Sequence, residues 1–457
     1  IALGSMRWLL GLHTAPFSAR AAATAAAAAA CAVCTGSTRP SEPRTWTIAQ
    51  AAAPTFYEKH LKPEEGRSTL SPRMSMAEPP PVRVVTYNVL SSHLCDPSYY
   101  VKCDPADLDP STRLARVKKQ LEPHVDAGAV ICLQELSQQW VGELIPHLEA
   151  RGYTLVTGLY GRSFNGYMGV GLAWPTSRFM SEAVDISRAA DTKPWPPPPP
   201  REPFPPNPRS AAGAALAAVK TGVRAGWRAG AACWRRWKEG PPPFDPWAEA
   251  ERRANILLSA RLKCKASGRT FSVSTYHMPC LFGSDPKLQV MTIHAALAAR
   301  RAADFAGEGV PFVLAGDWNF KPGDAPYELF RNGDLPEGHR HLPPPREGEE
   351  WEPNLHHTLV SAYVVCNGQE PHFTNKAFTK GASEPFVGTL DYIFLGRGGA
   401  PRQSGPAEPS APSASGAWRV LGVKPLKTLT AVEGILSYPS AEEPSDHVLI
   451  WADLQLA

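Results

Sequence analysis

Residues 313–320 read VLAGDWNF, and this stretch decides how we interpret the rest of the chain. A run of apolar residues typical of a buried strand leads to Gly316, where we expect a turn, and Asp317 and Asn319 follow directly. A hydrophobic core needs neither polar side chain, whereas the end of a rigid strand can hold both over a pocket. The stretch therefore predicts a buried β-strand that delivers one carboxylate and one carboxamide to a functional site.

Polar side chains also follow or interrupt five other apolar runs of the chain. These side chains are Asn88 in YNVL, Glu135 in LQEL, His277 in TYHMP, Asp391 in LDYIF, and Asp446 with His447 in SDH. Taken alone, each of these residues fits a turn or a cap as well as it fits a functional site. Because they recur at successive strand ends, we interpret them together as one pocket of carboxylates, amides and imidazoles.

Such a pocket has the ligand chemistry of a hard divalent cation. Carboxylate and amide oxygens suit Mg²⁺ or Mn²⁺, which binds few protein oxygens and keeps water or substrate phosphate as its other ligands. An ion held in this way activates water and neutralises phosphate charge during an in-line displacement. We therefore expect Mg²⁺, with Mn²⁺ as the alternative, and one or two ions.

Patterns typical of strands and helices alternate from about residue 82 onward. Residues 82–90 alternate as a β-strand should, STRLARVKKQLEPHV has helical spacing, and AVICLQEL is a continuous buried strand. Residues 254–278 predict a hairpin around Ser267 and Gly268, and the helix PKLQVMTIHAALAARRAADFA follows it. This alternation predicts layers of helices packed on sheets.

Length, charge and cysteine content set outer limits on the class of protein. The chain has 457 residues, a formal net charge of +4 and nine cysteines. The small net charge neither demands nor excludes a polyanionic partner, because a surface can be basic locally in a nearly neutral chain. An odd number of scattered cysteines is typical of buried thiols in a reducing compartment.

Two proline-rich segments interrupt the strand and helix pattern, at about residues 186–250 and 397–417. Polyproline cannot enter a sheet ladder or a helix interior, so both predict insertions that loop out of the core. Within the first, residues 220–238 place Lys220, Arg224 and Arg228 at helical spacing. This stretch is interpreted either as a contact for RNA or an anionic membrane, or as a poorly ordered insertion.

The segment before the first strand does not have the composition of folded protein. From Met6 it contains arginine, serine, threonine and polyalanine, and no acidic residue occurs before Glu42. This composition predicts a disordered, transit-peptide-like region over residues 1–80, and a catalytic domain over residues 81–457. We expect import into a mitochondrion or plastid, with secretion or a low-complexity tail on a cytoplasmic protein as alternatives.

The motifs occur in the order of a known superfamily. TYNVL, ICLQEL, TYHMP, LAGDWNFKPGDAPYELF, FTNKAF with GTLDYIFL, and PSDHVLIWADLQL together resemble the endonuclease/exonuclease/phosphatase superfamily. The segment FTNKAF followed by FVGTLDYIF is similar to the deadenylase branch, which includes nocturnin, the Angel proteins and the mitochondrial 2′-5′ phosphodiesterase. The resemblance implies a DNase I-like fold, a four-layer α/β sandwich of two packed, mostly antiparallel sheets flanked by helices.

The resemblance also implies roles around a metal ion and its water. Glu135 would be the principal metal ligand, with Asn88 close to the metal and the scissile phosphate. Asp317 would orient or deprotonate the attacking water, and Asn319 would help to hold phosphate oxygens. Asp391 would organise the site rather than contact the metal.

Further roles concern the substrate. By the same resemblance, His447 would act as general acid or stabilise the transition state, with Asp446 holding its tautomer, and His277 would donate to another phosphate oxygen. Phe386 matches the position at which deadenylases stack the substrate base, and Asn375 would also bind substrate. Residues 167–174 read YMGVGLAW where the branch usually has DGCAIF, so this part of the pocket departs from the family pattern.

These observations favour a Mg²⁺-dependent phosphodiester hydrolase of the deadenylase type, a 3′-5′ exoribonuclease acting on RNA. Two alternatives stay open from the sequence. One is a phosphatase acting on a nucleotide or an RNA end, and the other is a catalytically inactive domain that binds RNA or serves as a scaffold. Because the acidic and histidine residues of all the motifs are present, we expect an active enzyme.

The N-terminal segment can be tested for import without the rest of the chain. Residues 6–50 fused to a fluorescent protein should direct it to mitochondria or plastids in a plant cell, which contains both organelles. The same fusion with Arg7 and Arg20 replaced by glutamate should lose import, because two of the four arginines of the segment are then replaced by acids. Uniform cytosolic fluorescence of the unaltered fusion would contradict the expectation.

Overall fold

The computed structural model describes residues 80–197, 244–355, 357–397 and 417–456. The chain separates into two compact units, and the fold belongs to the unit of residues 65–380 and 384–457. Of the other unit, only residues 381–383 are described. The predicted N-terminal region of residues 1–80, except Pro80, lies outside the described residues, as do residues 220–238 and most of the segment predicted at 397–417.

Strands and helices follow each other along the described residues. The strands are β1 (Val82–Asn88), β2 (Val130–Leu136), β3 (Tyr153–Leu159), β4 (Gly169–Pro175), β5 (Phe179–Arg188), β6 (Ile256–Cys264), β7 (Thr270–His277), β8 (Pro311–Asp317), β9 (Val360–Ser361), β10 (Asn375–Ala377), β11 (Phe386–Gly388), β12 (Asp391–Arg397), β13 (Trp418–Val423) and β14 (Ile450–Leu456). The helices are α1 (Pro110–Asp126), α2 (Gln138–Glu149), α3 (Pro246–Arg252), α4 (Asp285–Ala306), α5 (Ala325–Asn332) and α6 (Ala362–Asn367).

Twelve of these strands form two six-stranded sheets, ordered β13-β14-β1-β2-β4-β3 and β5-β6-β7-β8-β12-β9. Each sheet is antiparallel except for one parallel pair, β1 with β2 and β7 with β8. Helix α1 connects the first parallel pair and α4 the second, as parallel neighbours require a long crossover. The remaining strands, β10 and β11, form a separate antiparallel ribbon.

The sheets pack face to face, and helices cover their outer faces. Between the sheets, Val84 and Val130 from the first share a core with Val273 and Val313 from the second. Because side chains alternate along a strand, the next residues point the other way, and Val85 packs with residues of α1 and α2. The second sheet packs on α4, whose buried face is rich in alanine. The predicted four-layer α/β sandwich with mostly antiparallel sheets is therefore confirmed.

The first insertion is narrower than the sequence predicted. Residues 186–188 are the last of β5, and they pair with residues 256–258 of β6. Helix α3 packs Trp247 and Ala250 against Ile293 and Leu297 of α4. Both ends of the predicted segment at 186–250 are thus part of the folded layers. Ala189 and Ala190 at one end, and Trp247 and Ala250 at the other, are buried. Residues 198–243 lie outside the described residues.

No helix in the described ranges has the length and apolar character needed to cross a bilayer.

One buried arginine connects the loops that follow β1 and precede β14. Arg113 of α1 is fully buried, and its guanidinium donates to the carbonyl oxygens of Val89, Leu90 and Pro444, each at 2.6 Å. Its charge lies 5.1 Å from the centre of the Trp140 ring. A planar guanidinium with several fixed donors can satisfy carbonyls from two directions at once. Arg113 therefore fixes the spacing between two loops that carry predicted site residues.

Replacing this arginine should destabilise the fold strongly. Arg113→Ala leaves three buried carbonyl oxygens without a donor, and we expect the free energy of unfolding to fall by about 3 kcal/mol. The measurement is urea denaturation followed by circular dichroism. Arg116→Ala is the matched control, because Arg116 lies on the same helix and pairs with Asp107 near the surface. Its loss should stay below about 1 kcal/mol, and equal losses in the two variants would contradict the assigned role of Arg113.

Candidate active site

The predicted polar residues meet at one edge of the two sheets. Asp317 ends β8, and its neighbours across the ladders are His277 at the end of β7 and Asp391 at the start of β12. The strand order of the second sheet therefore places Asp317 between the imidazole of His277 and the carboxylate of Asp391. Asn88 ends β1 of the other sheet, and its amide lies 2.9 Å from Asp317 Oδ2. The pocket predicted from strand ends is thus formed where the carboxyl ends of β1 and β8 approach each other.

Gly316 has a different role from the predicted turn. It lies inside β8, and a Cβ atom at this position would be 2.0 Å from the carbonyl oxygen of Tyr276 on β7. A side chain would therefore separate the two strands next to the pair formed by His277 and Asp317. Glycine is required here because the backbones come so close.

Two site residues have a left-handed backbone, which is unusual for residues other than glycine. The φ angle is 56° at Glu135 and 50° at Asn319. The register between β2 and β4 shifts between Leu133 and Leu136, so Glu135 lies in an irregularity that redirects its side chain. Each such conformation costs on the order of 1–3 kcal/mol and persists only where the surroundings impose it. Strain at both positions supports a functional role for Glu135 and Asn319.

Asn88 connects the two carboxylates at the centre of the site. Its Nδ2 donates to Glu135 Oε1 at 3.0 Å and to Asp317 Oδ2 at 2.9 Å. Its Oδ1 accepts a hydrogen bond from the backbone N–H of Leu90. The implied contact of Asn88 with a metal stays a prediction, because its amide hydrogens face the carboxylates while its oxygen keeps a second lone pair. Asn88 holds the two acids close together against their mutual repulsion.

His447 is oriented by Asp391, which corrects the role expected for Asp446. Its Nδ1 lies 2.7 Å from Asp391 Oδ2, and its Nε2 lies 3.6 Å from Asp317 Oδ2. The Asp446 carboxylate instead accepts hydrogen bonds from Tyr100 at 3.1 Å and Asn375 at 3.3 Å. Asp446 and His447 thus have different partners, although they are neighbours in sequence.

Charge around His447 favours its protonated form. Burial lowers the pKa of the imidazole, but the carboxylates of Asp391, Asp317 and Asp446 outweigh burial, and the pKa lies well above its usual value. Burial raises the pKa of Asp391, and the imidazolium partly offsets that effect. The histidine is thus held as a proton donor with Nε2 facing Asp317.

A threonine that sequence reasoning missed supports this pair. Thr374 Oγ1 donates to Asp391 Oδ2 at 2.7 Å and accepts from the backbone N–H of Leu390 and Asp391. The motif FTNKAF contains this residue next to Asn375, which is the signal that could have identified it. Asp391 Oδ1 is buried and has no hydrogen-bond partner among the described residues. One carboxylate oxygen therefore remains available to a ligand.

The second histidine lies on the opposite side of Asp317. His277 Nε2 is 3.5 Å from Asp317 Oδ2 and 3.9 Å from Glu135 Oε1. Its Nδ1 is 2.8 Å from the phenol oxygen of Tyr160, a residue that follows β3 and that the sequence did not single out. His277 therefore faces the acids with one nitrogen and a phenol with the other.

The remaining predicted residues surround this centre. Asn319 donates its backbone N–H to Asp317 Oδ1 and its side-chain Nδ2 to the Met278 carbonyl, each at 3.0 Å. Asn375 begins β10 and forms an isolated backbone bridge with His447. Phe386 begins β11 in the same ribbon, and 41% of its surface is exposed. The ribbon that carries Asn375 thus also presents an exposed aromatic ring.

The acidic residues fit a divalent cation. Two groups of potential ligands, Glu135 with His277 and Asp317, and Asp317 with Asp391 and His447, each have ligand atoms within 4.8 Å of one another. The carboxylates supply oxygen, which hard cations prefer, and Asp391 Oδ1 is buried without a partner. Both groups share Asp317, so this residue lies at the centre of the candidate site.

Comparison with known proteins agrees with this geometry. Residues 273–447, which include His277, Asp317, Asp391 and His447, match the model of the Endonuclease/Exonuclease/phosphatase family. Over those residues, which are fewer than half of the chain, the protein is similar to this family. A solved structure of ANGEL2, described as a 2′,3′-cyclic phosphatase, aligns with this chain at a TM-score of 0.54 and 18% identity. The alignment covers 82% of this chain and 96% of ANGEL2, which shows a shared fold.

Curated relatives match a shorter segment of this chain than ANGEL2 does. The 2′,5′-phosphodiesterase 12 of Homo sapiens is 31% identical over 209 residues, and that of Bos taurus is 30% identical over 209 residues. Each match covers 45% of this chain and 29% of the relative. The chain thus spans less than a third of the length of the curated relatives it matches.

The partner of His447 can be tested directly. Asp391→Asn removes the negative charge that contributes most to raising the pKa of His447, so this pKa should fall markedly. Asp446→Asn is the matched control and should lower the pKa less, because its carboxylate is bound by Tyr100 and Asn375 instead. Titration of the His447 imidazole by NMR measures both effects. A larger decrease in Asp446→Asn would reverse the assignment.

Proposed function

We propose that this protein is a metal-dependent phosphodiester hydrolase. The observation that carries the proposal is the environment of a single atom, Asp317 Oδ2. It lies 2.9 Å from Asn88 Nδ2, 3.5 Å from His277 Nε2 and 3.6 Å from His447 Nε2. A carboxylate oxygen surrounded by one amide and two imidazoles is placed to hold a water molecule next to groups that bind phosphate.

The proposed reaction uses these residues in defined roles. Asp317 accepts a proton from water as the water oxygen attacks phosphorus, and the bond between phosphorus and the leaving oxygen breaks. His447 donates its Nε2 proton to the leaving oxygen, which the raised pKa of this imidazole favours. Asn319 and His277 donate hydrogen bonds to the phosphate oxygens. The sum of these steps is hydrolysis, with one proton taken from water and one given to the leaving group.

Glu135 and Asp317 would hold the metal ion in this proposal, with Asp391 Oδ1 as a further oxygen. Mg²⁺ is the ion we propose, with Mn²⁺ as the substitute and one or two ions bound. A bound ion would supply charge neutralisation at phosphate and lower the pKa of water. The buried, unpartnered oxygen of Asp391 supports the proposal, because such an atom is costly to leave without a ligand.

We propose RNA as the substrate, degraded from its 3′ end as by a deadenylase. Exposed aromatic side chains at the same edge of the sheets support a single-stranded nucleic acid. Phe164 and Tyr167 lie between β3 and β4, Phe282 follows β7, and Phe386 begins β11. Base stacking on an aromatic ring contributes roughly 1–3 kcal/mol per base.

A second candidate has its own support. The curated relatives at 30–31% identity are named 2′,5′-phosphodiesterase 12, which favours cleavage of 2′-5′ linkages in oligoadenylate. The two candidates share the metal, the water and the phosphate contacts. They differ only in the linkage that the pocket presents to Asp317.

We also propose that the protein acts on RNA inside a mitochondrion or plastid. The arginine-containing, acid-free composition of residues 6–41 supports this location.

A panel of substrates tests the proposed function. The protein should release mononucleotides from the 3′ end of poly(A) with Mg²⁺, and EDTA should abolish the reaction. Poly(U), 2′-5′ oligoadenylate, RNA with a 2′,3′-cyclic phosphate end, and NADPH are the comparison substrates. Faster cleavage of 2′-5′ oligoadenylate would favour the second candidate, and faster removal of a terminal phosphate would favour a phosphatase.

A variant of Glu135 links the reaction to the metal. Glu135→Gln keeps the size of the side chain at a strained position but removes its charge, so activity at low Mg²⁺ should fall at least about 100-fold. Raising Mg²⁺ should recover part of it. Glu143→Gln, on the exposed side of α2, is the matched control and should retain activity. Absence of metal-dependent turnover on every substrate would indicate an inactive binding domain.

A further inference from the structure

Tyr160 is the one close partner of His277 Nδ1 among the described residues. Its phenol oxygen lies 2.8 Å from that nitrogen, and its ring packs partly buried against the core between the sheets. Tyr160 follows β3 and His277 ends β7, so 117 residues of chain separate the two. This contact brings a neutral group to a histidine that otherwise faces only acids.

The acids on the other side of the ring determine the direction of the hydrogen bond between them. His277 Nε2 faces Asp317 Oδ2 and Glu135 Oε1, and carboxylate oxygens accept hydrogen bonds, so the ring hydrogen is favoured on Nε2. The phenol of Tyr160 then directs its own hydrogen to His277 Nδ1. Asn255 holds the backbone of the same histidine, because its Nδ2 donates to the His277 carbonyl oxygen at 2.8 Å.

A nitrogen that accepts a hydrogen bond carries no proton. In the neutral imidazole the ring hydrogen then lies on Nε2, because one nitrogen is a donor and the other an acceptor. The Nε2–H faces Asp317 Oδ2 at 3.5 Å and Glu135 Oε1 at 3.9 Å.

We propose that Tyr160 is a positioning residue that fixes His277 in the tautomer with its hydrogen on Nε2. His277 then acts as a hydrogen-bond donor to substrate phosphate and does not ligate the metal. A metal ligand at Nε2 would need a lone pair on that nitrogen and a hydrogen on Nδ1, which the phenol hydrogen opposes. The metal is therefore left to the carboxylates of Glu135, Asp317 and Asp391.

The two histidines of the site thus have different partners and different tasks. His447 is paired with a carboxylate, which favours a hydrogen on Nδ1 and a charged ring. His277 is paired with a phenol, which donates to Nδ1 and leaves the ring hydrogen on Nε2. The first is suited to transfer a proton, and the second to give a hydrogen bond through Nε2. The part of this inference that concerns substrate rests on the proposed phosphodiesterase function, and the tautomer does not.

Imidazole NMR of the whole protein tests the tautomer. In protein with ¹⁵N-labelled histidine rings, at mildly alkaline pH, the signal lost in His277→Gln identifies His277. We expect it to show a protonated Nε2 and an unprotonated Nδ1. Tyr160→Phe should shift it toward a mixture of both tautomers. Tyr153→Phe is the matched control, because Tyr153 begins the same strand and its hydroxyl donates to the Val125 carbonyl at a similar distance of 3.0 Å. It should leave the His277 signal unchanged.

Metal titration tests the second part without any substrate. Mn²⁺ bound to the protein is measured by electron paramagnetic resonance. His277→Gln and Tyr160→Phe should change the dissociation constant less than about twofold, whereas Glu135→Gln should raise it at least tenfold. A loss of Mn²⁺ affinity in His277→Gln equal to that in Glu135→Gln would make His277 a ligand and overturn the proposal.

A double-mutant cycle tests the catalytic consequence. On whichever substrate the panel identifies, Tyr160→Phe should lower kcat about tenfold with little change in KM. In the His277→Gln background the same substitution should have less than about a twofold effect, because the residue it positions is absent. An equal decrease in kcat in the unaltered and the His277→Gln backgrounds would show that Tyr160 acts only through packing.

The tautomer and Mn²⁺ measurements test the positioning by Tyr160 separately from the proposed phosphodiesterase function. A failed substrate panel with the expected tautomer and Mn²⁺ results would remove the phosphodiesterase function and leave the positioning by Tyr160 intact. A protonated Nδ1 in the unaltered protein, or an unchanged tautomer in Tyr160→Phe, would overturn the positioning whatever the panel shows. Unfolding midpoints of Tyr160→Phe and Tyr153→Phe, measured side by side, exclude a general loss of structure.

Discussion

The candidate site depends on one hydrogen bond between the two sheets, from Asn88 Nδ2 to Asp317 Oδ2 at 2.9 Å. Asn88 ends a strand of the first sheet and Asp317 ends a strand of the second, so this contact closes the sandwich at the functional edge. The same amide also holds Glu135 at 3.0 Å. Without it, two nearly buried carboxylates would lose the amide donor that they share, and their repulsion would oppose the packing of the sheets. The fold and the site therefore share a single constraint.

The rest of the site compensates for the concentration of negative charge. Asp391 is opposed by the imidazole of His447 and the hydroxyl of Thr374, each at 2.7 Å from the same oxygen. Burial alone raises the pKa of the Asp391 carboxyl and lowers the pKa of the His447 imidazole. At His447 the attraction of the nearby carboxylates outweighs burial, so the protonated imidazole is favoured. Donors do not saturate the acids, because Asp391 Oδ1 remains without a partner among the described residues. The remaining capacity for a positive charge is what makes this edge a fitting place for a divalent cation.

Backbone contacts around the pocket hold these side chains at fixed positions. Arg113 ties the loop after β1 to the loop before β14 through backbone carbonyls. Gly316 lets β8 approach β7 closely enough to bring His277 next to Asp317. The strained backbones at Glu135 and Asn319 are tolerated because the surrounding strands impose them. Precision at the centre is thus obtained from packing and backbone contacts, whereas the exposed aromatic rings stand at the edge where a substrate can reach them.

The sequence by itself identified most of the polar side chains that meet at this edge, because polar side chains at the ends of apolar strands have no place in a core. Glu135, His277, Asp317, Asn319, Asp391 and His447 were all identified in this way, together with the strands and helices of the layered fold. Only the tertiary structure decided which residue contacts which. The partner of His447 is Asp391 rather than its neighbour Asp446, the amide hydrogens of Asn88 face the two acids, and Tyr160 and Thr374 join the site from positions just outside β3 and β10. Such pairs depend on strand register and on contacts between residues far apart in the chain, and a local pattern of side chains carries no information about either.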